Sequence, residues 1–270
     1  MSLRGLAVRI AKTLAFGAAA CAASLAAANA DTLHVTYGVS LVGLPIGVAH
    51  VTADITPSSY SVDFRARMSG LASLVSNARG ASSGKGAIVG GHIEPATFAT
   101  TASSSKMTRT IRMALADNAV TGVEIAPPFD ENPDRIPLTD KDKRGIVDPV
   151  GAFVIPAPDS GPTSPAACNR TIPIFDGWTR FDIKLSYVGQ RNVAAKGYTG
   201  PVAICAARYV PIAGHRPDRP ATKFMAENKD IEVWLAPVSG ANVLLPFRVS
   251  VRTMVGIAVA EATEFSVAAK

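Results

Sequence analysis

The clearest structural signal in the chain is the run from residue 168 to residue 205, CNRTIPIFDGWTRFDIKLSYVGQRNVAAKGYTGPVAIC. Within it, apolar and polar side chains alternate strictly, with the apolar positions at Phe181, Ile183, Leu185 and Tyr187. This period of two is typical of a β-strand with one buried face. The polar, glycine-containing segment 189–197 predicts a reversal of the chain, and 201–210 predicts a return strand. The run therefore predicts a long antiparallel hairpin.

Cys168 and Cys205 stand near the two outer ends of this predicted hairpin. Antiparallel partners lie roughly 4.5 to 5.5 Å apart at Cα, a separation that a disulfide spans. A bridge that closes a loop of about 38 residues stabilises a fold by roughly 4 kcal/mol in the chain-entropy model. Two buried thiols are the alternative, and the choice depends on whether the chain reaches an oxidising compartment.

The leader, residues 1–30, predicts export to such a compartment. It has a basic start, an apolar alanine-rich stretch over 13–25, and small residues before a cleavage point between Ala30 and Asp31. That order is typical of a secretory signal peptide. The apolar stretch is too short and too rich in alanine to favour a membrane anchor. We expect the remainder, residues 31–270, to be a single β-rich domain located in the periplasm, with no transmembrane segment left after cleavage.

Cys21 lies in the leader and raises the alternative of lipidation. Ala18 stands where a lipoprotein site usually has a larger aliphatic residue, and the cleavage site after Ala30 follows, so lipidation is disfavoured. Cleavage removes Cys21 and leaves two cysteines. An even count in an oxidising space favours a structural disulfide between Cys168 and Cys205.

Much of the basic character of the chain belongs to the leader. The whole sequence has 27 Lys and Arg against 21 Asp and Glu, a formal net charge of +6. Loss of residues 1–30 removes three basic residues and no acidic one, which leaves +3. The remaining sequence has no basic run interleaved with aromatic residues, so nothing in it favours nucleic-acid binding.

Further strands are predicted on both sides of the hairpin, at 33–41, 45–55, 59–68, 86–93, around 98, and at 111–115, 120–125, 231–235, 245–252 and 256–267. Short turns between consecutive strands, such as Asp117-Asn118, argue for an antiparallel meander. Short helices are predicted at 70–76 and at 145–154, where Asp148 is a good N-cap and Pro149 fits the first helical position. The tryptophans, Trp178 and Trp234, are interpreted as core or rim aromatics.

One short motif resembles a catalytic signature. Gly80-Ala81-Ser82-Ser83-Gly84 matches the G-x-S-x-G pattern, in which a sharp strand-to-helix turn exposes a nucleophilic serine. The residues that follow read as a strand and not as a helix, so we interpret the motif as a loop or hairpin turn. A serine hydrolase that uses Ser82 is therefore the least favoured function.

Metal and cofactor signals are weak throughout the sequence. The four histidines, His34, His50, His92 and His215, are scattered and show no metal-ligand spacing. The pair Asp140 and Asp142 resembles the start of a calcium loop, but Arg144 and Gly151 stand where later oxygen ligands belong. We predict no cofactor, no metal and no catalytic residues.

Several short motifs carry a resemblance to a known family: Pro133-Asp134-Arg135, Ile146-Val147-Asp148-Pro149 with Phe153, Cys168 with Phe175-Asp176-Gly177, Cys205 with 209–216, and Ile231-Glu232-Val233-Trp234-Leu235. Together they resemble the exported bacterial family catalogued as domain of unknown function 3108, over residues 33 to about 257. The resemblance implies export and no assigned activity. It also implies a curved antiparallel sheet or half-barrel with one or two short helices packed against it, similar to lipoprotein carriers.

These observations favour a non-enzymatic periplasmic protein that holds or senses an apolar or lipid-like envelope component. Predicted export, a half-barrel-like series of strands and an apolar content of 48% support this function. An envelope-assembly scaffold that binds another protein is the main alternative. The sequence leaves the binding residues unidentified.

Overall fold

The computed structural model describes residues 31–74 and 76–268. The leader lies outside these ranges, and with it Cys21 and Ala30, the residue before the predicted cleavage point. The strands are β1 (Asp31–Leu41), β2 (Leu44–Ile55), β3 (Ser59–Met68), β4 (Arg79–Val89), β5 (His92–Ser103), β6 (Thr108–Ala116), β7 (Ala119–Ala126), β8 (Ile155–Pro156), β9 (Arg170–Phe175), β10 (Arg180–Ala195), β11 (Tyr198–Ala213), β12 (Ile231–Pro237), β13 (Val243–Thr253) and β14 (Gly256–Ala268). The α-helix is α1 (Pro220–Glu227), and short 3-10 helices span Gly70–Leu74, Asp140–Lys143, Gly151–Phe153 and Pro165–Ala167.

All the long strands belong to one antiparallel sheet. Its order is β7-β6-β5-β4-β3-β2-β1-β14-β13-β12-β11-β10-β9, with β8 paired to β13. Two meanders, β1 to β7 and β9 to β14, are thus joined where the first strand pairs with the last. Tight turns make this order possible, and at the β6–β7 turn Asp117 and Asn118 both take the left-handed conformation, with φ of 51° and 54°. Asn and Asp tolerate that conformation better than most residues.

The sheet curves until its edge strands face each other across one short segment, residues 144–147. A bridge pairs Arg144 with Ala119 of β7, and another pairs Val147 with Ile174 of β9. The Gly145 amide donates to the Asn118 carbonyl at 2.7 Å, and the Val147 amide donates to the Pro173 carbonyl at 2.8 Å. The predicted curved antiparallel sheet is confirmed, and the segment between its edges makes it barrel-like.

The main core fills the concave face of the sheet. Its large side chains come from strands of both meanders and from the segment that precedes β8, and they include Tyr60, Phe98, Met113, Ile146, Val154, Phe247 and Phe265. The 3-10 helix Gly151–Phe153 lies within this segment, where the sequence predicted a short helix at 145–154. Two short helical elements were predicted, and the other, at 70–76, corresponds to the 3-10 helix Gly70–Leu74.

The predicted disulfide between Cys168 and Cys205 is present, with the two Cα atoms 5.4 Å apart. Its position in the hairpin differs from the prediction. β10 continues to Ala195, so the β10–β11 turn is only Lys196-Gly197, and Cys205 lies opposite Tyr187 inside the hairpin. Cys168 follows the 3-10 helix Pro165–Ala167 and precedes β9. The bridge therefore joins the segment before the edge strand to the third strand of the sheet, and it does not close the outer ends of a hairpin.

Two other elements differ from the prediction, one strand and one helix. The strand predicted at 86–93 is divided by a turn at Gly90 and Gly91, whose positive φ values of 55° and 76° suit glycine. β4 begins instead at Arg79, so the serine-rich motif lies within a strand. The helix α1 was not predicted, although Pro220 stands at its beginning, where proline is well tolerated.

Candidate functional site

In an antiparallel meander, successive connections alternate between the two ends of the sheet. We call one of these ends the open end. It carries the β1–β2, β3–β4, β5–β6, β9–β10, β11–β12 and β13–β14 connections. A cavity of about 620 Å³ lies there, on the concave side of the first meander. Its lining is mostly apolar, and comes from Val39, Ile46, Gly47, Val48, Ala66, Arg67, Met68, Ala78, Arg79, Gly80, Thr100, Ala102, Ser103, Ser104, Met107, Arg109, Ile111 and Phe129.

The cavity exists because the inward positions near the open end are small. One row across the strands places Ala49, Ala66, Gly80 and Ala102 side by side. Four positions deeper on β3, the corresponding row keeps a glycine, Gly84, on β4, but it has the larger Val62, Phe98 and Met113 on β3, β5 and β6, all three buried. Large side chains fill the core to the density of ordinary protein interiors, but alanine and glycine cannot. The change from large to small residues along the strands therefore leaves an apolar space at one end.

Two arginines, Arg67 and Arg79, stand beside the mouth of this cavity, and we call them the cationic rim. They alternate along their strands with the inward Ala66 and Gly80, so their side chains leave from the outer face of the sheet, where they also line a cavity of about 360 Å³. Arg109, the third arginine of the lining, shares the inward face with Ile111.

Arg67 and Arg79 are direct cross-strand partners on β3 and β4, and both are exposed. Like charges that face each other across a sheet destabilise it slightly. Neither guanidinium takes part in the ion pairs found among the described residues. The described lining also contains no Asp or Glu. The rim is therefore electrostatically suited to a negatively charged group.

A stack of four side chains forms one wall of the open end. The Arg109 guanidinium lies 3.8 Å from the Phe129 ring centroid, Phe129 stacks on Trp178 at 4.5 Å, and Arg135 lies 3.4 Å from the Trp178 ring. Arg135 also donates to the Gly214 carbonyl at 2.6 Å. Each cation–π contact contributes about 0.5 to 2 kcal/mol. The stack joins β6 to the β9–β10 turn, and so it holds Phe129 and Arg109 against the cavity. Trp178 is thus a rim aromatic, as the sequence suggested.

A buried carboxylate anchors the segment that enters the concave face. Asp148 is fully buried, and its Oδ1 accepts hydrogen bonds from the amides of Val150 and Gly151 at 2.8 and 2.9 Å. The sequence predicted Asp148 as an N-cap. Its side chain does bind the amides at the start of this turn, but the 3-10 helix begins later and has Val150 as its N-cap. A Cβ on Gly151 would lie 2.8 Å from the Tyr60 hydroxyl and 2.9 Å from Asp148 Oδ2, so these two polar groups meet around the glycine. Burial raises the pKa of Asp148, and burial together with the nearby Asp148 charge raises the pKa of Tyr60.

Ser82 has no catalytic surroundings in the described structure. It lies inside β4, in register with Phe64 and Thr100, and its Oγ hydrogen-bonds to Thr100 Oγ1 at 2.7 Å. The predicted loop or turn at this motif was wrong, but a strand equally lacks the sharp turn that exposes a nucleophile. In the hydrogen bonds of the described residues, no histidine contacts either hydroxyl; His50, for example, contacts Thr36 at 3.2 Å. A serine here has no base to activate it.

The described ranges, 31–74 and 76–268, hold no group of three His, Cys, Asp or Glu side chains arranged as metal ligands. None of the helices described there is long and apolar enough to cross a membrane. The cavity was not predicted, because its lining residues are ordinary strand residues whose register alone brings them together. In the sequence, the cavity is indicated only by the change from large to small inward residues along β3 and β5.

This sheet, with one apolar cavity at an open end, defines a β-rich protein of the half-barrel class. The chain belongs to the family described as Protein of unknown function (DUF3108), whose model matches residues 32–263. The resemblance inferred from the sequence motifs is thereby confirmed.

A similar fold occurs in a crystal structure described as a beta-barrel-like protein of domain of unknown function DUF1849 from Brucella abortus. The two share a TM-score of 0.52 and 9% identity, over 90% of this chain and 100% of the other. At that identity the likeness concerns the fold alone. A comparison with curated proteins finds no similar sequence.

Proposed function

We propose that the protein is a non-enzymatic, exported binder that holds an apolar, lipid-like molecule in the cavity at its open end. The cavity itself carries this proposal. At about 620 Å³ it falls within the range of roughly 300 to 1,000 Å³ that small-molecule sites occupy, and its lining is mostly apolar, as in such sites. Ordinary cores do not leave such a space, because packing it would stabilise the fold.

The cationic rim narrows the class of ligand. An alkyl or acyl chain suits the apolar lining formed by Ala66, Met68 and Ile111, whereas a neutral oil would leave Arg67 and Arg79 facing each other without a counter-charge. A carboxylate or phosphate head at the mouth of the cavity would offset that repulsion through its negative charge. The ligand is therefore an anionic single-chain amphiphile.

The proposed location is the periplasm. The signal-peptide pattern of residues 1–30 supports it, as does the buried bridge between Cys168 and Cys205, since disulfides persist mainly in oxidising compartments. Export is consistent with a lipid-like ligand from the cell envelope.

Filling the cavity should remove the bound ligand. A Cβ on Gly80 would meet no heavy atom closer than the Thr101 carbonyl at 3.8 Å, so Gly80→Leu places its side chain in the cavity without strain. We expect organic extraction and mass spectrometry of the purified wild-type protein to yield a single-chain lipid, and the Gly80→Leu variant to yield less than about a tenth as much. Thermal unfolding of both should be similar.

The matched control is Ala114→Leu, which adds the same side chain to an exposed position of β6, outside the cavity. It should retain the ligand in full. Equal amounts of lipid in Gly80→Leu and wild type would show that the cavity is not the site. A wild-type protein that is empty and unresponsive to added lipids would instead favour the envelope-assembly scaffold.

A further inference from the structure

The hairpin tips at the open end expose large apolar side chains. Val42, Leu44, Met254, Val255 and Ile257 are 49% to 72% exposed. They lie on the β1–β2 and β13–β14 hairpins, which are adjacent because β1 pairs with β14. The Val42 amide donates to the Ile257 carbonyl at 2.8 Å, so the two tips form one surface. We call this surface the apolar tips.

The turns at the opposite end of the sheet have a different character. They are small or polar, with Pro57-Ser58, Gly90-Gly91, Asp117-Asn118, Lys196-Gly197 and Ser239-Gly240. Val89 is an exposed apolar residue there, but it stands beside glycines and not in a cluster. Scattered apolar residues are normal on protein surfaces, whereas a contiguous group on projecting turns marks an interaction site. The interaction site is thus confined to the end where the cavity opens.

Charge at the same end identifies the partner. Arg67 and Arg79 of the cationic rim and Lys106 on the β5–β6 turn are all exposed. Met107, beside Lys106, is 48% exposed and lines the cavity. Aliphatic and methionine side chains flanked by cations match the boundary between acyl chains and anionic headgroups.

We propose that the protein docks on an anionic lipid bilayer through its open end, with the apolar tips inserted at the headgroup boundary. The inference rests on the proposed function, because an amphiphile held in the cavity has to be exchanged with a membrane. Docking in this orientation brings the cavity mouth to the surface from which the ligand comes. It also places Arg67, Arg79 and Lys106 against the phosphates.

Vesicle co-sedimentation tests the docking. The wild-type protein should bind vesicles that contain phosphatidylglycerol, and bind pure phosphatidylcholine vesicles more weakly. The double variant Leu44→Ser with Val255→Ser should bind the anionic vesicles at least about tenfold more weakly. Its serine side chains lack the apolar surface whose burial in the bilayer favours binding. Val89→Ser, at the opposite end, is the matched control and should bind like the wild type.

A second measurement separates this inference from the proposed function. Neither Leu44 nor Val255 lines the cavity, so the double variant should bind dodecanoate in vesicle-free solution as the wild type does. Vesicle binding that is equal in the double variant and the wild type would overturn the docking surface. So would a wild-type protein that binds dodecanoate but no vesicle, which is the result expected if the tips bind another protein.

Discussion

Replacing both bridge cysteines, Cys168→Ala with Cys205→Ala, should lower the free energy of unfolding by about 2 to 4 kcal/mol. The bond ties the segment before edge strand β9 to β11, across the intervening strand. Both cysteines are fully buried in a second, smaller core cluster with Leu235 and Leu244. Without the bond, β9 is held by its pairing with β10 on one side and by the short bridge between Ile174 and Val147 on the other.

Urea unfolding of the oxidised wild-type protein and the double variant measures this difference. In a typical domain, with a stability of roughly 5 to 15 kcal/mol, the variant should still fold. Wild-type protein with added reductant is the control, and its midpoint should move towards that of the variant. Equal midpoints would contradict the stabilising role. Cysteines that react with an alkylating reagent in protein purified without reductant would contradict the bridge itself.

Replacing the buried carboxylate should have an effect of similar size. Asp148→Ala removes the acceptor for two amides at a fully buried site, where an unsatisfied donor costs about 1 to 3 kcal/mol. We expect a loss of about 2 to 4 kcal/mol, measured by urea unfolding near neutral pH. Asp148→Asn keeps Oδ1 as an acceptor and places an amide donor beside the Tyr60 hydroxyl, so it should be at least as stable as the wild type.

The pH dependence of Asp148 runs opposite to that of most carboxylates in proteins. Burial raises its pKa in the folded state, so the folded chain holds this proton more tightly than the unfolded chain does. The stability that this adds is fully present below the usual pKa and is lost as pH rises through the raised one. The advantage of Asp148→Asn over the wild type should therefore be larger at about pH 7 than at about pH 4. An advantage that grows towards acid pH would contradict the assignment.

Sequence patterns predicted the strands most directly where one face lies on the core and the other is exposed, as in the alternating burial of β3. β11, β12 and β13 have instead both faces buried, one in each core cluster, so the alternation in the β13 sequence does not follow from its burial. The two cysteines that the predicted cleavage leaves are the pair that is bonded. The hydrogen bonds from nearby amides to Asp148 were predictable because they are local.

Features that depend on distant pairings could not be predicted in this way. Residues 144–147 join the two edges of the sheet only because the sheet curves. The curvature of a sheet cannot be recognised from the sequence of the segment that connects its edges. The contact of Phe129 with Trp178 spans a long stretch of sequence, and the cavity depends on the register that aligns Ala66 with Gly80. The Cys205 position was misjudged because a polar segment, 189–197, was interpreted as a turn. It is instead mostly an exposed extension of β10.

Calorimetric titration with dodecanoate and with dodecanol tests the central claim most directly. The two ligands share a chain length, and only dodecanoate carries the negative charge that the cationic rim of Arg67 and Arg79 should attract. We expect one dodecanoate to bind per chain, about tenfold more tightly than dodecanol, a difference of about 1.4 kcal/mol. The variant Arg67→Gln with Arg79→Gln should lose most of this preference, since Arg109 is then the one arginine left in the described lining, whereas Arg112→Gln, on an arginine already paired with Glu124, should behave like the wild type. Wild-type protein that binds neither ligand would contradict the claim that the cavity holds an anionic single-chain amphiphile.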